Sequence, residues 1–106
     1  MRADLLNTFL ARLELRPYFY DFLSTLAVAG VSGTLATRLA GPLTYGKIFG
    51  KTGTIDGIYN LAGYFKTQSE TYTPFTIISE SSLGATQVRG MIDKIATEFS
   101  LLNTPD

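Results

Sequence analysis

The sequence has 106 residues, of which 45% are hydrophobic and 17% are charged, a composition typical of one small globular domain and not of a disordered chain. Nine basic and nine acidic residues cancel, so the net charge gives no reason to expect nucleic acid as a partner. Cysteine and histidine are absent, which excludes disulfides, zinc fingers and a Ser-His-Asp triad within this chain, and nothing in it indicates a metal or a cofactor.

The first residues, Met1–Asp4, lack the charged-then-apolar pattern of a signal peptide, and no apolar run is long enough to span a bilayer. Taken alone, these features indicate a cytoplasmic protein.

The segment from Asp4 to Glu14 is predicted to form an amphipathic helix, with Asp4 as its N-cap and Pro17 beyond its end. The apolar residues that recur at helical spacing in this segment are Leu5, Leu6, Phe9, Leu10 and Leu13.

The segment from Pro17 to Pro42 is predicted to be a linking stretch, because its glycines interrupt any long helix. Within it, Thr34 to Leu39 suits at most a short helical turn.

Three antiparallel strands are predicted after this stretch. Gly46 to Ile55 and Ile58 to Lys66 are joined by Asp56-Gly57, a dipeptide favoured in tight hairpins because both positions accept positive φ. The third strand is Thr73 to Ser79, where Pro74 suits a strand start or an edge. The second strand is apolar on both faces, which is typical of a sheet between two helical layers. Its two apolar sets are Ile58, Ala62 and Tyr64 on one face and Leu61 and Phe65 on the other.

A C-terminal helix is predicted from about Thr86 to Leu102. The order of elements predicts an α+β fold in a single segment, residues 1–106, with an antiparallel sheet flanked by N- and C-terminal helices. Since two helices cover only one face of such a sheet, we expect its second face to need a partner from outside this sequence. One apolar stripe of the last helix is expected to be core: Val88, Met91, Ile92, Ile95, Phe99 and Leu102.

The sequence Lys51-Thr52-Gly53-Thr54 ends the first predicted strand. Lys-Thr-Gly on a strand is one of three motifs of the serine penicillin-recognising enzymes, although three common residues in a row also recur by chance. The flanking stretch Gly46–Tyr64 resembles the region around this motif in the low-molecular-mass class C penicillin-binding proteins, which are carboxypeptidases and endopeptidases of peptidase family S13. Val28–Leu35 resembles the loop before the motif in the same family, which more often has Leu-Pro at Leu26-Ala27 and an acid at Ser32.

The resemblance implies a partial penicillin-binding-protein or serine β-lactamase-like (transpeptidase) domain. It further implies a serine-type D-Ala-D-Ala carboxypeptidase or endopeptidase that acts on the stem peptides of peptidoglycan and is inhibited by β-lactams. Because that substrate lies outside the cytoplasm, the family implies a periplasmic or extracellular location for the full-length parent.

The resemblance also implies roles for the motif. Lys51 supplies positive potential and assists proton transfer, while the hydroxyls of Thr52 and Thr54 bind the substrate's terminal carboxylate. Gly53 lets the substrate backbone approach and pair with the strand. The backbone N–H of Thr54 is expected to be one of two oxyanion donors. Lys51 and Thr54 are thus the expected catalytic residues, and Lys51, Thr52, Gly53 and Thr54 the expected substrate-binding residues.

The nucleophile of the family is not present in these residues. None of the serines is followed by lysine three positions later or by asparagine two positions later: Ser24, Ser32, Ser69, Ser79, Ser81, Ser82 and Ser100. Because both motifs precede Lys-Thr-Gly in the family, we expect the chain to be the C-terminal part of a catalytic domain that is inactive alone. The alternative is a non-catalytic remnant or a binding module that kept the strand.

Three further residues near the motif have ordinary interpretations. A strand tyrosine such as Tyr59 is more often a packing residue than a catalytic one. Arg38 and Lys47 are interpreted as solvated surface charges rather than as a basic rim around the site.

Overall fold

A four-stranded antiparallel sheet organises the protein, whose computed structural model describes residues 3–55, 58–80 and 84–102. The predicted turn at Asp56-Gly57 lies outside the described residues. The elements, in chain order, are helices α1 (Ala3–Leu13) and α2 (Phe19–Leu23), strand β1 (Ala27–Val28), a 3₁₀ turn (Gly33–Leu35), strands β2 (Ile48–Ile55), β3 (Ile58–Lys66) and β4 (Tyr72–Glu80), and helix α3 (Ala85–Leu102).

The sheet order is β1-β2-β3-β4, and each neighbouring pair is antiparallel. The predicted α+β class and the three long strands are confirmed, and Pro74 lies on the edge strand β4 as expected. Strand β1 was missed inside the predicted linking stretch. It has only two residues, which pair with Phe49 and Gly50, and two residues are too few to show the alternation that marks a strand.

One core lies between the sheet and α3. Leu61 and Phe65 of β3 point to this side, as predicted, and Leu35 of the 3₁₀ turn joins them. The predicted apolar stripe of α3 is partly wrong, because Met91 and Ile95 are about half exposed and Leu102 is 84% exposed. The buried residues of α3 form a row at four-residue spacing instead: Val88, Ile92, Ala96 and Ser100. Two of them, Ala96 and Ser100, have small side chains that let the helix lie close to the sheet.

A second core covers the opposite face, so the expectation of a bare face is wrong. Ala62 and Tyr64 of β3 pack there against α1 and α2. The reason is that part of the predicted linking stretch folds as α2, which adds Phe19 and Leu23 to the layer formed by α1. The sheet is therefore covered by helices on both faces, as the apolar residues on both sides of β3 indicated.

Tyr64 connects the sheet to α1. Its ring is fully buried, makes edge-on contacts with Phe19 and Phe22, and its hydroxyl donates a 2.7 Å hydrogen bond to the carbonyl oxygen of Leu10. Burial, with a smaller contribution from the negative charge of Glu14, raises the pKa of Tyr64 from its usual 10.0 to about 12. The neutral phenol is thus the form that the fold requires.

Arg38 connects the loop after the 3₁₀ turn to α3. Its Nη2 and Nε atoms donate to the two carboxylate oxygens of Asp93 over 2.6 and 3.1 Å, in a largely buried, bidentate ion pair. The interpretation of Arg38 as a solvated charge is therefore wrong, and its charge is neutralised within the fold.

Two glycine substitutions test how closely β2 and β3 approach. A Cβ added at Gly63 would overlap the carbonyl oxygen of Phe49 and crowd Gly50, so we expect Gly63→Ala to lower the free energy of unfolding by about 3 kcal/mol. Gly90 of α3 has no atom near its Cβ position, and Gly90→Ala should stabilise the helix by about 0.5–1 kcal/mol. Urea denaturation of both variants measures this, and equal stability of the two would contradict the packing described.

A second stability test concerns the buried phenol. Because the pKa of Tyr64 is higher in the folded chain, its contribution is complete below pH 10 and is lost as pH rises toward 12. Tyr64→Phe removes one buried hydrogen bond and should cost about 1 kcal/mol at pH 8. Denaturation at stepped pH should then show a shallower alkaline loss of stability in the variant. Parallel curves between pH 10 and 12 would contradict the assignment.

Candidate active site

The candidate site lies on an open edge of β2. Strand β1 pairs with Phe49 and Gly50 only, and within residues 3–55, 58–80 and 84–102 no strand pairs with the same edge from Lys51 onward. Four residues of the predicted motif, Lys51 to Thr54, therefore lie on β2 with β3 on one side and an unpaired edge on the other.

Hydrogen bonds fix which backbone groups of β2 face this edge. The N–H of Ala29 donates to the carbonyl of Ile48 over 2.9 Å on the β1 side, and Lys66 donates to the carbonyl of Lys47 over 2.7 Å on the β3 side. Backbone groups alternate along a strand, so even-numbered residues of β2 face away from β3. The N–H and C=O groups of Thr52 and Thr54 therefore point to the open edge.

The side chains of the motif alternate between the two faces of the sheet. Thr52 and Thr54 lie opposite Leu61 and Tyr59, on the face covered by α3. Lys51 and Gly53 lie opposite Ala62 and Asn60, on the face covered by α1 and α2. The structure thus brings Thr52 and Thr54 together on one face and places the Lys51 side chain on the other. Both sets of side chains border the open edge.

Lys51 borders an apolar recess of about 350 Å³ between the sheet and the first two helices. The side chain is exposed, and the ion pairs of the described residues, Arg38 with Asp93 and Lys66 with Glu70, do not involve it. An uncompensated cation beside apolar walls favours an anionic ligand over a neutral one. The apolar residues that line the recess are Leu6, Phe9, Leu10, Phe22, Leu26 and Ala62.

Gly53 has an internal neighbour that sequence reasoning did not foresee. A Cβ at Gly53 would lie 2.9 Å from Nδ2 of Asn60, the residue directly opposite it on β3. The missing side chain therefore lets the Asn60 amide lie across the strand on the Lys51 face. Tyr59 packs against the core on the other face, with the guanidinium of Arg89 5.9 Å from its ring centre, in line with the packing role expected for it.

Thr34 is the residue near the motif that sequence reasoning missed. Its hydroxyl oxygen lies 2.8 Å from the hydroxyl oxygen of Thr52, a hydrogen bond between residues 18 positions apart. Thr34 belongs to the loop Val28–Leu35, which carried part of the family resemblance, but no spacing rule connects it to Thr52. Only the fold of the loop brings the two hydroxyls together.

Other kinds of site find no support in the described part of the chain. It contains no group of three or more His, Cys, Asp or Glu side chains placed to hold a metal ion. None of the helices described is long and apolar enough to cross a membrane.

The family model of the D-Ala-D-Ala carboxypeptidase 3 (S13) family matches residues 1–99 of the chain. A comparison with curated proteins gives no significant match.

Among solved structures, the chain is similar to penicillin binding protein 4 from Haemophilus influenzae, with a TM-score of 0.77 and 23% identity over 94% of this chain and 24% of that one. The same protein complexed with a β-lactam matches with a TM-score of 0.67 and 24% identity, over 93% of this chain and 24% of that one. A predatory endopeptidase from Bdellovibrio bacteriovorus, in complex with an immunity protein, matches with a TM-score of 0.59 and 24% identity, over 76% and 22% of the two chains. The chain thus shares their fold and spans about a quarter of their length.

The contact between Gly53 and Asn60 can be tested by a double-mutant cycle. Gly53→Ala should destabilise the chain by about 1 kcal/mol, because the new methyl group displaces the Asn60 amide. In an Asn60→Ala background the same substitution should cost clearly less, which denaturant unfolding of the four proteins measures. Strictly additive effects would show that the Asn60 side chain does not lie across Gly53.

Proposed function

Since the chain belongs to the D-Ala-D-Ala carboxypeptidase 3 (S13) family, we propose that it supplies the substrate-binding strand of a serine-type D-Ala-D-Ala carboxypeptidase or endopeptidase. The substrates proposed are peptidoglycan stem peptides, with β-lactams as inhibitors, in the periplasm or outside the cell. The observation that carries the proposal is the open edge of β2 at Lys51 to Thr54. Pairing with β1 stops at Gly50, directly before these residues.

The open edge suits a peptide that binds as an added strand. Thr52 and Thr54 direct their backbone N–H and C=O groups to it, and these are the groups an extended peptide pairs with. The N–H of Thr54 is a proposed oxyanion donor, since it faces the side from which a bound acyl carbonyl would approach. Gly53 itself adds no side chain next to Thr54, and the Asn60 amide lies over its Cβ position.

The charge distribution suits a ligand with a terminal carboxylate. Lys51 has no ion-pair partner among the described residues, whereas Arg38 is neutralised by Asp93. The hydroxyls of Thr52 and Thr54 lie on the opposite face of the strand, so a carboxylate at the edge can receive both hydroxyl hydrogen bonds and the field of Lys51. We therefore propose Lys51, Thr52, Gly53 and Thr54 as substrate-binding residues, and Lys51 and Thr54 as the catalytic ones among them.

The chemical step needs a serine nucleophile activated by lysine, and no serine of this sequence is followed by lysine three positions later. In acyl transfer, a serine oxygen bonds to the carbonyl carbon, the amide C–N bond breaks, and the amine leaves with a proton. The proposal assigns that serine and its activating lysine to residues outside this sequence and expects the present residues alone to be inactive.

Acylation by a labelled penicillin tests the proposal in the complete product of the gene that encodes these residues. We expect a covalent adduct in the wild-type protein. Lys51→Ala should slow its formation about 100-fold, because it removes the cation that faces the β-lactam carboxylate. Rates are read from in-gel fluorescence during a time course.

Lys47→Ala is the matched control, since Lys47 is a lysine directly before β2 and outside the Lys51 to Thr54 segment. Its labelling rate should stay within about twofold of wild type, because a lone surface charge contributes little. A complete gene product that takes up no label would favour the alternative of a non-catalytic remnant. Equal rates for Lys51→Ala and wild type would remove Lys51 from the site.

A further inference from the structure

The 3₁₀ turn places a second hydroxyl beside the motif strand. Thr34 approaches β2 just beyond the point where β1 stops, and its oxygen lies 2.8 Å from that of Thr52. Both hydroxyls lie near the open edge, and the Thr34 side chain is exposed. A ligand that occupies the edge would therefore meet a pair of hydroxyls instead of a single one.

The position of Thr34 is set by the residues on either side of it. Gly33 has a φ of +60°, and a Cβ there would lie 2.9 Å from the Cβ of Ala27, so this turn requires glycine. Leu35 is fully buried in the core on the α3 side. The N–H of Gly30 is shared between the carbonyls of Leu35 and Arg38, at 2.9 Å each.

Side-chain contacts also fix the chain on both sides of Thr34. Arg38 is fixed to α3 by the two-pronged ion pair with Asp93. The Ser32 hydroxyl oxygen accepts a 3.1 Å hydrogen bond from the N–H of Val28. The Thr34 hydroxyl is thus presented by a loop anchored at both ends, and little freedom remains to be lost when it forms a hydrogen bond.

A hydroxyl has a single proton, which decides what the pair can do. If Thr52 donates to Thr34, the Thr52 proton is used within the protein and cannot reach a ligand. If Thr34 donates to Thr52, the Thr52 proton is free to bind an anion, and the bond from Thr34 polarises it further. A carboxylate at the edge accepts hydrogen bonds only, so its presence selects the second arrangement.

We infer that Thr34 is a positioning residue for carboxylate recognition: it donates to Thr52 and orients the Thr52 proton toward the terminal carboxylate of the ligand. This inference rests on the proposed function and adds to it a residue outside the Lys-Thr-Gly motif. The role acts on ligand binding, because the carboxylate is present both before and during the acyl-transfer step.

The test compares two ligands that differ in charge at one position, a penicillin and its methyl ester, with the complete gene product. Thr34→Val should raise the concentration of penicillin for half-maximal acylation rate about 5- to 10-fold and leave the limiting rate unchanged. With the methyl ester, which lacks the anionic acceptor, the same variant should differ from wild type by less than about twofold.

Two further variants separate a hydrogen-bond role from a structural one. Thr34→Ser keeps the hydroxyl and should restore the wild-type half-maximal concentration. Thr37→Val alters an exposed threonine just after the 3₁₀ turn and should behave as wild type with both ligands. Because the hydroxyl pair is exposed, Thr34→Val should also leave the melting temperature within about 2 °C of wild type.

Each result decides between the two proposals. If Thr34→Val matches wild type with penicillin while Lys51→Ala still slows acylation, the role of Thr34 is overturned and the proposed function stands. An equal loss with penicillin and its methyl ester would show that Thr34 supports the fold and not the carboxylate. A wild-type protein that forms no adduct with penicillin would overturn the proposed function, and the role of Thr34 with it.

Discussion

The antiparallel pairing of β2 with β3 runs from Ile48 opposite Phe65 to Ile55 opposite Ile58, and the other features of the structure follow from its register. A slip of one residue would turn every side chain of β2 to the opposite face. In this register Gly50 and Gly63 face each other where the strands have no room for a Cβ. With that register, one set of apolar residues of β3 meets α3 and the other meets α1 and α2.

The same pairing leaves one edge of β2 to be divided between β1 and the candidate site. Strand β1 is only two residues long, and beyond it the chain turns through Gly30 and Gly33, both with positive φ. This turn moves the chain off the edge and returns it as the 3₁₀ turn, whose Thr34 contacts Thr52. Because β1 is this short, the edge of β2 from Lys51 to Thr54 is left without a pairing strand among the described residues.

Membership in the D-Ala-D-Ala carboxypeptidase 3 (S13) family and the physical arrangement of the edge both support the proposed ligand, a peptide with a terminal carboxylate. For the proposed peptide ligand, the edge presents the backbone groups and hydroxyls of Thr52 and Thr54, together with Lys51, which has no ion-pair partner among the described residues. The Lys51 side chain projects to one face of the sheet, and the side chains of Thr52 and Thr54 project to the other. In the proposed function, a ligand at the edge lies within reach of both sets of side chains, although they project to opposite faces of the strand.

The sequence by itself determined the fold class, the three long strands, the apolar character of both faces of β3 and the motif Lys51 to Thr54, because each is encoded in local spacing. The sequence did not reveal strand β1, helix α2 or the buried row of α3. Strand β1 is too short for a period, and Ala96 and Ser100 are buried because small side chains allow close approach, not because they are strongly apolar. Only the tertiary structure decided the contacts between Thr34 and Thr52, Arg38 and Asp93, and Gly53 and Asn60. These contacts join residues that are distant along the chain or lie on different strands, and their partners are chosen by register and loop path, which no local pattern specifies.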